Sequence, residues 1–181
     1  MHGGANLTSA RLVVLLACAC YAFGTAAWLD VPYVRQVKSG CGAAAVAMVV
    51  QYWARHNPEL KNAASETDRI DELLPASRRG IRGAALKDYL SQRGFAAFVF
   101  DGEVKDLRHH FERGRPVIVC LALSGPRAPF HYAVVVGVDE HSVWLHDSAR
   151  GKLVRETLER FRQSWEVTGH WALLAVPRGA W

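Results

Sequence analysis

Four residues of this chain are of the types that together carry out nucleophilic acyl transfer: Cys41, His131, Asp147 and Gln36. Cys41 lies between Gly40 and Gly42 and opens the nearly uncharged stretch CGAAAVAMVVQYWA. A Cys in the first turn of a helix sits among unpaired backbone N–H groups at the positive end of the macrodipole, and both favour thiolate over thiol. The two glycines are expected to leave room for a substrate carbonyl. His131 opens the apolar run His131–Val138 after a Gly- and Pro-rich loop, Ser124–Pro129, so its ring can face a cleft and take the thiol proton. If Asp139-Glu140-His141 is a three-residue hairpin loop, Val138 lies opposite Ser142 and His131 opposite Ala149. Asp147 is then a diagonal neighbour of His131 on the same face. A carboxylate there holds one ring nitrogen and leaves the other for the thiol. A slip of one residue would turn Asp147 away. His146 falls on the opposite face in that register, so His131 is assigned as the base. Gln36, five residues before Cys41, is assigned to donate to a developing oxyanion together with the Cys41 N–H. Read singly, Cys41 is a small core residue and Gln36 a surface amide; the chemistry lies in their combination.

The elements that position these groups follow from periodicity. Val46, Val49, Val50 and Trp53 form one stripe of the helix from Cys41 to Ala54, and Ala45, Met48 and Tyr52 a second, so the helix is apolar nearly all round and belongs in a core. Leu29–Val34 reads as a short edge segment followed by a turn. Further helices are expected at Glu66–Leu74 (Ser65 as cap), Gly83–Gly94, Val104–Arg113 and Leu158–Trp165. Strands are expected at Phe95–Phe100, Pro116–Leu123, His131–Val138, Ser142–Asp147 and His170–Val176. Helices come first and an antiparallel sheet second, an α+β layout. Trp53, Trp144, Trp165 and Trp171 are read as core.

The composition sets bounds. With 181 residues the chain suits one domain, and four Cys are too few for a disulfide scaffold. The net charge of +5 comes from dispersed basic residues, so no nucleic-acid partner is indicated. No Cys-x-x-Cys, His-Glu-x-x-His or Gly-rich phosphate loop occurs, so no metal, nucleotide or other cofactor is expected. Residues 1–27 read as an address: Arg11, an apolar run over Leu12–Ala22, and small residues at Gly24–Ala27. Three readings fit: a cleaved signal peptide, a lipoprotein leader with Cys18 lipidated, or an uncleaved anchor giving membrane attachment. Each puts residues 28–181 outside the cytoplasm, periplasmic or secreted, as a monomeric domain. Cys41 and Cys120 could pair in an oxidising compartment; Cys120, within Val117–Leu123, reads instead as a buried, inert thiol.

The stretch from Gln36 through Cys41 to Val49 resembles the nucleophile segment of the C39 peptidase family. Arg115-Pro116-Val117-Ile118-Val119, then His131–Val138, then His146-Asp147-Ser148-Ala149-Arg150-Gly151, resemble its later blocks in order, and Phe161–Trp165 its Phe-x-x-x-Trp. The resemblance covers Leu29 to Val176. It implies a papain-like cysteine peptidase with Cys41 as nucleophile, His131 as general base, Asp147 as its orienter, Gln36 as oxyanion donor, and a peptide or protein as substrate. Two departures stand out: the Gln36–Cys41 interval is one residue shorter than usual in the family, and Ser148 stands where Pro is common. The resemblance and the leader together imply a stand-alone secreted member. A non-catalytic substrate-binding module and a papain-fold acyltransferase or amidase are the alternatives.

Overall fold

Helix α1, Cys41–Ala54, has the bounds its pattern predicts, and every residue from Cys41 to Val50 is buried. Its alanines let neighbouring elements close on the backbone, while Val46, Met48, Val49 and Val50 each contribute roughly 1.5–3 kcal/mol of burial. The computed structural model describes residues 28–77, 80–123 and 129–179. The three readings of residues 1–27, lipidation of Cys18 among them, fall outside the described residues, as does most of the Ser124–Pro129 loop. No helix among the described residues is long and apolar enough to cross a membrane.

After α1 come two short helices, α2 (Lys61–Glu66) and α3 (Ile70–Leu73), then α4 (Gly83–Gln92) and strand β1 (Phe95–Asp101). Helix α5 (Val104–Glu112) leads to β2 (Val117–Ala122), β3 (Phe130–Val138), β4 (Ser142–Asp147) and β5 (Gly151–Thr157). Helix α6 (Leu158–Glu166) and β6 (Trp171–Pro177) complete the chain. The six strands form one antiparallel sheet in the order β1-β6-β2-β3-β4-β5. Alternation along β3 divides the core. Tyr132, Val134 and Val136 join the cluster built on α1, whereas Ala133, Val135 and Val138 pack with Leu107 of α5 and Phe161 and Trp165 of α6. The helical segment of α1–α4 thus packs on a sheet made by the C-terminal half, the α+β architecture expected.

Three expectations change. The segment read as a helix over Glu66–Leu74 begins earlier: Asn57 Oδ1 accepts the Glu59 N–H, Pro58 fills the first helical position, and Ser65 lies inside α2, bonding the Asn62 carbonyl. Leu29–Val34 runs extended without forming a strand, although the Leu29 N–H donates to the Val136 carbonyl at 2.6 Å. Strand β5 is an edge that sequence reading left unassigned; its charged residues Lys152, Arg155 and Glu156 mask the alternation.

Close packing requires the absence of a side chain at Gly40 and Gly42. A Cβ on Gly42 would meet Leu86 at 3.0 Å and Tyr132 at 3.2 Å, both core side chains. One on Gly40 would stand 2.9 Å from the Val37 carbonyl and 2.6 Å from Asp71 Oδ1. Because a backbone carbonyl cannot give way cheaply, Gly40→Ala is expected to lower stability by about 1–3 kcal/mol in urea unfolding; an unchanged midpoint would contradict this.

Candidate active site

The site is assembled where the first turn of α1 meets the N-terminal end of β3. Helix α1 begins with Gly40 as N-cap, has no side-chain cap and carries no acidic residue in its first turn. Its leading N–H groups and dipole are therefore left to act on Cys41. Cys41 is 7% exposed. Burial alone would push its pKa up, but the His131 side chain, the backbone N–H groups of Tyr132 and Gly42 and the charge of His131 outweigh it, and the pKa falls below that of an ordinary thiol.

His131 is also buried, and its Nε2 donates to Asp147 Oδ1 at 2.8 Å. Burial alone would lower the imidazole pKa. The hydrogen bonds and charges of Asp147 and Cys41 reverse that, raising it to about 9. The lowered thiol and raised imidazole both shift toward their charged forms, the direction that pairing of the two groups favours. Asp147 is held by its own turn: Oδ1 also accepts the N–H groups of Ala149 and Arg150, each at 3.0 Å. Burial would raise the carboxyl pKa, but His131 and these two N–H groups bring it below the usual carboxylate value. The Arg150 guanidinium lies 3.8 Å from Oδ2 and pairs with Glu156.

The hairpin reaches this arrangement by a different route from the one expected. Asp139–Ser142 closes a longer turn: Asp139 Oδ1 accepts the N–H groups of His141 and Ser142, and Val138 pairs with Val143, one residue out of the expected register. A bulge between Val135 and Gly137 takes up the slip, so that Val134 pairs with His146. The register is therefore the expected one at the site end of the hairpin. His146 is wholly buried on the other side of β4, donating from Nε2 to the Val31 carbonyl at 2.9 Å and accepting the Leu153 N–H at Nδ1. Burial pushes its pKa down, and it serves as a neutral structural group.

Gln36 is turned into the same region. Its backbone N–H donates to the Ser148 carbonyl at 3.1 Å, its Nε2 to the Lys38 carbonyl at 2.6 Å, and its Oε1 accepts from Ser148 Oγ at 2.9 Å. The Tyr33 hydroxyl donates to the carbonyls of Asp147 and Ser148. Tyr33 and Ser148 were not singled out for the site; Ser148 signals itself only by following Asp147, and its partner lies 112 residues away. A cleft of about 520 Å³ opens beside the pair, walled by Leu121, Leu123, His131, Asp147, Arg160 and Val167; Cys41 is not among its walls. Cys120 is a free, buried thiol whose pKa burial pushes up to about 12. Among the described residues no group of three His, Cys, Asp or Glu could hold a metal ion.

A helical N-terminal part on a six-stranded antiparallel sheet is the papain-like architecture of C39 peptidases, and solved structures share it. The chain matches a putative C39-like peptidase from Bacillus anthracis with TM-score 0.65 and 17% identity, over 83% of this chain and 98% of that one. A double glycine motif protease from an AMS/PCAT transporter, in complex with a leader peptide, matches with TM-score 0.64 and 24% identity, over 84% and 96%. The peptidase domain of Streptococcus ComA, a bifunctional ABC transporter involved in quorum sensing, matches with TM-score 0.63 and 23% identity, over 81% and 98%. The sequence profile of the Peptidase_C39 like family matches residues 28–173, and the chain belongs to that family. It is 24% identical over 131 residues to the lactococcin-G-processing and transport ATP-binding protein LagD of Lactococcus lactis subsp. lactis, which covers 72% of this chain but only 17% of LagD.

These relatives correct two expectations. LagD is a processing and transport protein, and two of the solved structures are protease or peptidase domains of transporters. The implied stand-alone secreted member is overturned by this finding, and the periplasmic or secreted placement falls with it.

Proposed function

We propose that the protein is a cysteine peptidase in which residues 28–181 act as one peptidase domain. The observation that carries this reading is the buried His131 ring, which donates from Nε2 to buried Asp147 and whose side chain also bonds that of Cys41. The Cys41 thiolate attacks the scissile carbonyl carbon, forming a C–S bond. The Cys41 N–H and Gln36 Nε2 stabilise the resulting oxyanion. Collapse breaks the C–N bond as imidazolium His131 gives its proton to the leaving amine. Water, deprotonated by His131, then hydrolyses the thioester. The substrate is a peptide of the leader class that the double glycine protease relative holds in its complex.

Iodoacetamide alkylation across pH 4 to 10, with the adduct located by mass spectrometry, tests the pair without a known substrate. Within residues 28–181 labelling is expected at Cys41 alone, since Cys120 stays a thiol up to about pH 12. The Cys41 rate rises as pH climbs through its lowered pKa, below that of an ordinary thiol. Peptide hydrolysis needs imidazolium as well, so its rate has a second limb falling as pH rises through about 9. His131→Ala removes what offsets burial; the thiol pKa rises, and the alkylation rate at pH 6 drops about tenfold for each unit of that rise. Ordinary thiol behaviour at Cys41, unmoved by His131→Ala, would sink the proposal. Product masses separate hydrolysis, which adds water, from transfer, which adds the acceptor.

A further inference from the structure

The orientation of the Gln36 amide is fixed by its partners. The Lys38 carbonyl can only accept, so the amide nitrogen must face it, at 2.6 Å. Oε1 then faces Ser148, whose hydroxyl donates to it at 2.9 Å. The flipped amide would set Oε1 against the Lys38 carbonyl, two acceptors with no hydrogen between them. Ser148 is wholly buried, and its carbonyl receives both the Gln36 N–H and the Tyr33 hydroxyl. It is therefore tied to Gln36 through backbone and side chain at once. Nε2 carries a second N–H, for which the described residues provide no acceptor.

We infer that Ser148 is a positioning residue for the oxyanion donor: its hydroxyl holds Oε1, which sets Nε2 toward the Lys38 carbonyl in the segment leading into Cys41. The inference rests on the roles proposed above for Cys41 and Gln36. A Pro at this position would have no hydroxyl with which to make this bond. One turn, Asp147-Ser148, thus orients the base with its first residue and the oxyanion donor with its second.

Two reactions of Cys41 separate this role from a structural one. Alkylation by iodoacetamide forms a C–S bond at a methylene carbon and expels iodide; it requires the thiolate but no oxyanion donor. Acylation by p-nitrophenyl acetate forms a C–S bond at a carbonyl carbon through an oxyanion and expels p-nitrophenolate. In the full chain, Ser148→Ala is expected to slow the Cys41-dependent burst of p-nitrophenolate about tenfold, the net worth of one hydrogen bond. Its alkylation rate and pH profile should match those of the parent, which also shows that the variant folds. Gln36→Ala should slow acylation at least as much, and the double variant no further than Gln36→Ala alone. Unchanged acylation in Ser148→Ala, an equal loss in alkylation, or effects that multiply in the double variant would overturn the inference. If the parent Cys41 alkylates only as an ordinary thiol, the peptidase reading fails and this inference with it. Fast low-pH alkylation in the parent with normal acylation in Ser148→Ala would overturn the positioning role alone.

Discussion

Replacing Cys41 with alanine is expected to lower peptide-bond cleavage by about 10⁴- to 10⁶-fold, the scale on which an attacking residue contributes when its partners act as a unit with it. The change deletes one sulfur from a site that is 7% exposed, and the adjoining α1 packing on Val46, Met48 and Val49 is untouched. Unfolding by urea is therefore expected to shift by no more than about 1–2 kcal/mol. The two measurements belong together, since loss of cleavage with an intact unfolding transition assigns the effect to chemistry. In the proposed mechanism His131 and Cys41 act as one unit, so His131→Ala should fall in the same range, and the double variant little further. Cleavage of the same peptide by the Cys41→Ala protein, monitored by product mass, is the result that would remove Cys41 from the mechanism.

The reach of sequence reasoning differed along the chain for physical reasons. Helix α1 was legible to the residue because its apolar pattern begins abruptly after Gly40 and ends at Ala54. The His131–Asp147 pairing was legible because alternation is rigid: once β3 and β4 are adjacent, only two faces exist, and only one puts Asp147 beside His131. What could not be read was the route. The hairpin turn spends one residue more than expected, and the bulge at Val136 returns it, its carbonyl accepting the Leu29 N–H from a segment more than a hundred residues away. Gly137 is the one local mark of that bulge, since Val136 itself is one of several consecutive buried residues. The same limit hid the Ser148–Gln36 bond and the purpose of Gly42, whose missing side chain admits Leu86 and Tyr132. Local patterns specify elements, whereas contacts between distant segments specify how a site is locked. The helix expected over Glu66–Leu74 gives way to α2 and α3 for a different reason: Ser65 offers a capping pattern, but Asn57 with Pro58 provides the stronger start eight residues earlier.

Asp147→Ala is expected to be the most damaging single change outside the nucleophile–base pair, because one oxygen serves three donors. Oδ1 accepts His131 Nε2 and the N–H groups of Ala149 and Arg150, in a site where both Asp147 and His131 are buried. Removing it leaves a buried imidazolium unpaired and two turn N–H groups without an acceptor, at a cost of about 3–5 kcal/mol in urea unfolding. Activity should fall by about 10³- to 10⁴-fold, as when the orienting acid of a triad is lost. The pH dependence has a definite sign. Burial disfavours charged His131, and without the Asp147 hydrogen bond and charge the imidazole pKa must drop from about 9. Its alkaline limb in peptide hydrolysis then moves to lower pH, and Cys41, losing the charge that stabilises its thiolate, moves upward. The window in which thiolate and imidazolium coexist narrows from both sides. Asp147→Asn separates the two functions of the side chain, since an amide oxygen still accepts the Ala149 and Arg150 N–H groups but carries no charge. That variant should recover most of the lost stability and little of the lost activity. An Asn variant with parental kcat/KM and an unshifted alkaline limb would show that the charge of Asp147 is not what sustains His131, and that the residue only closes the turn.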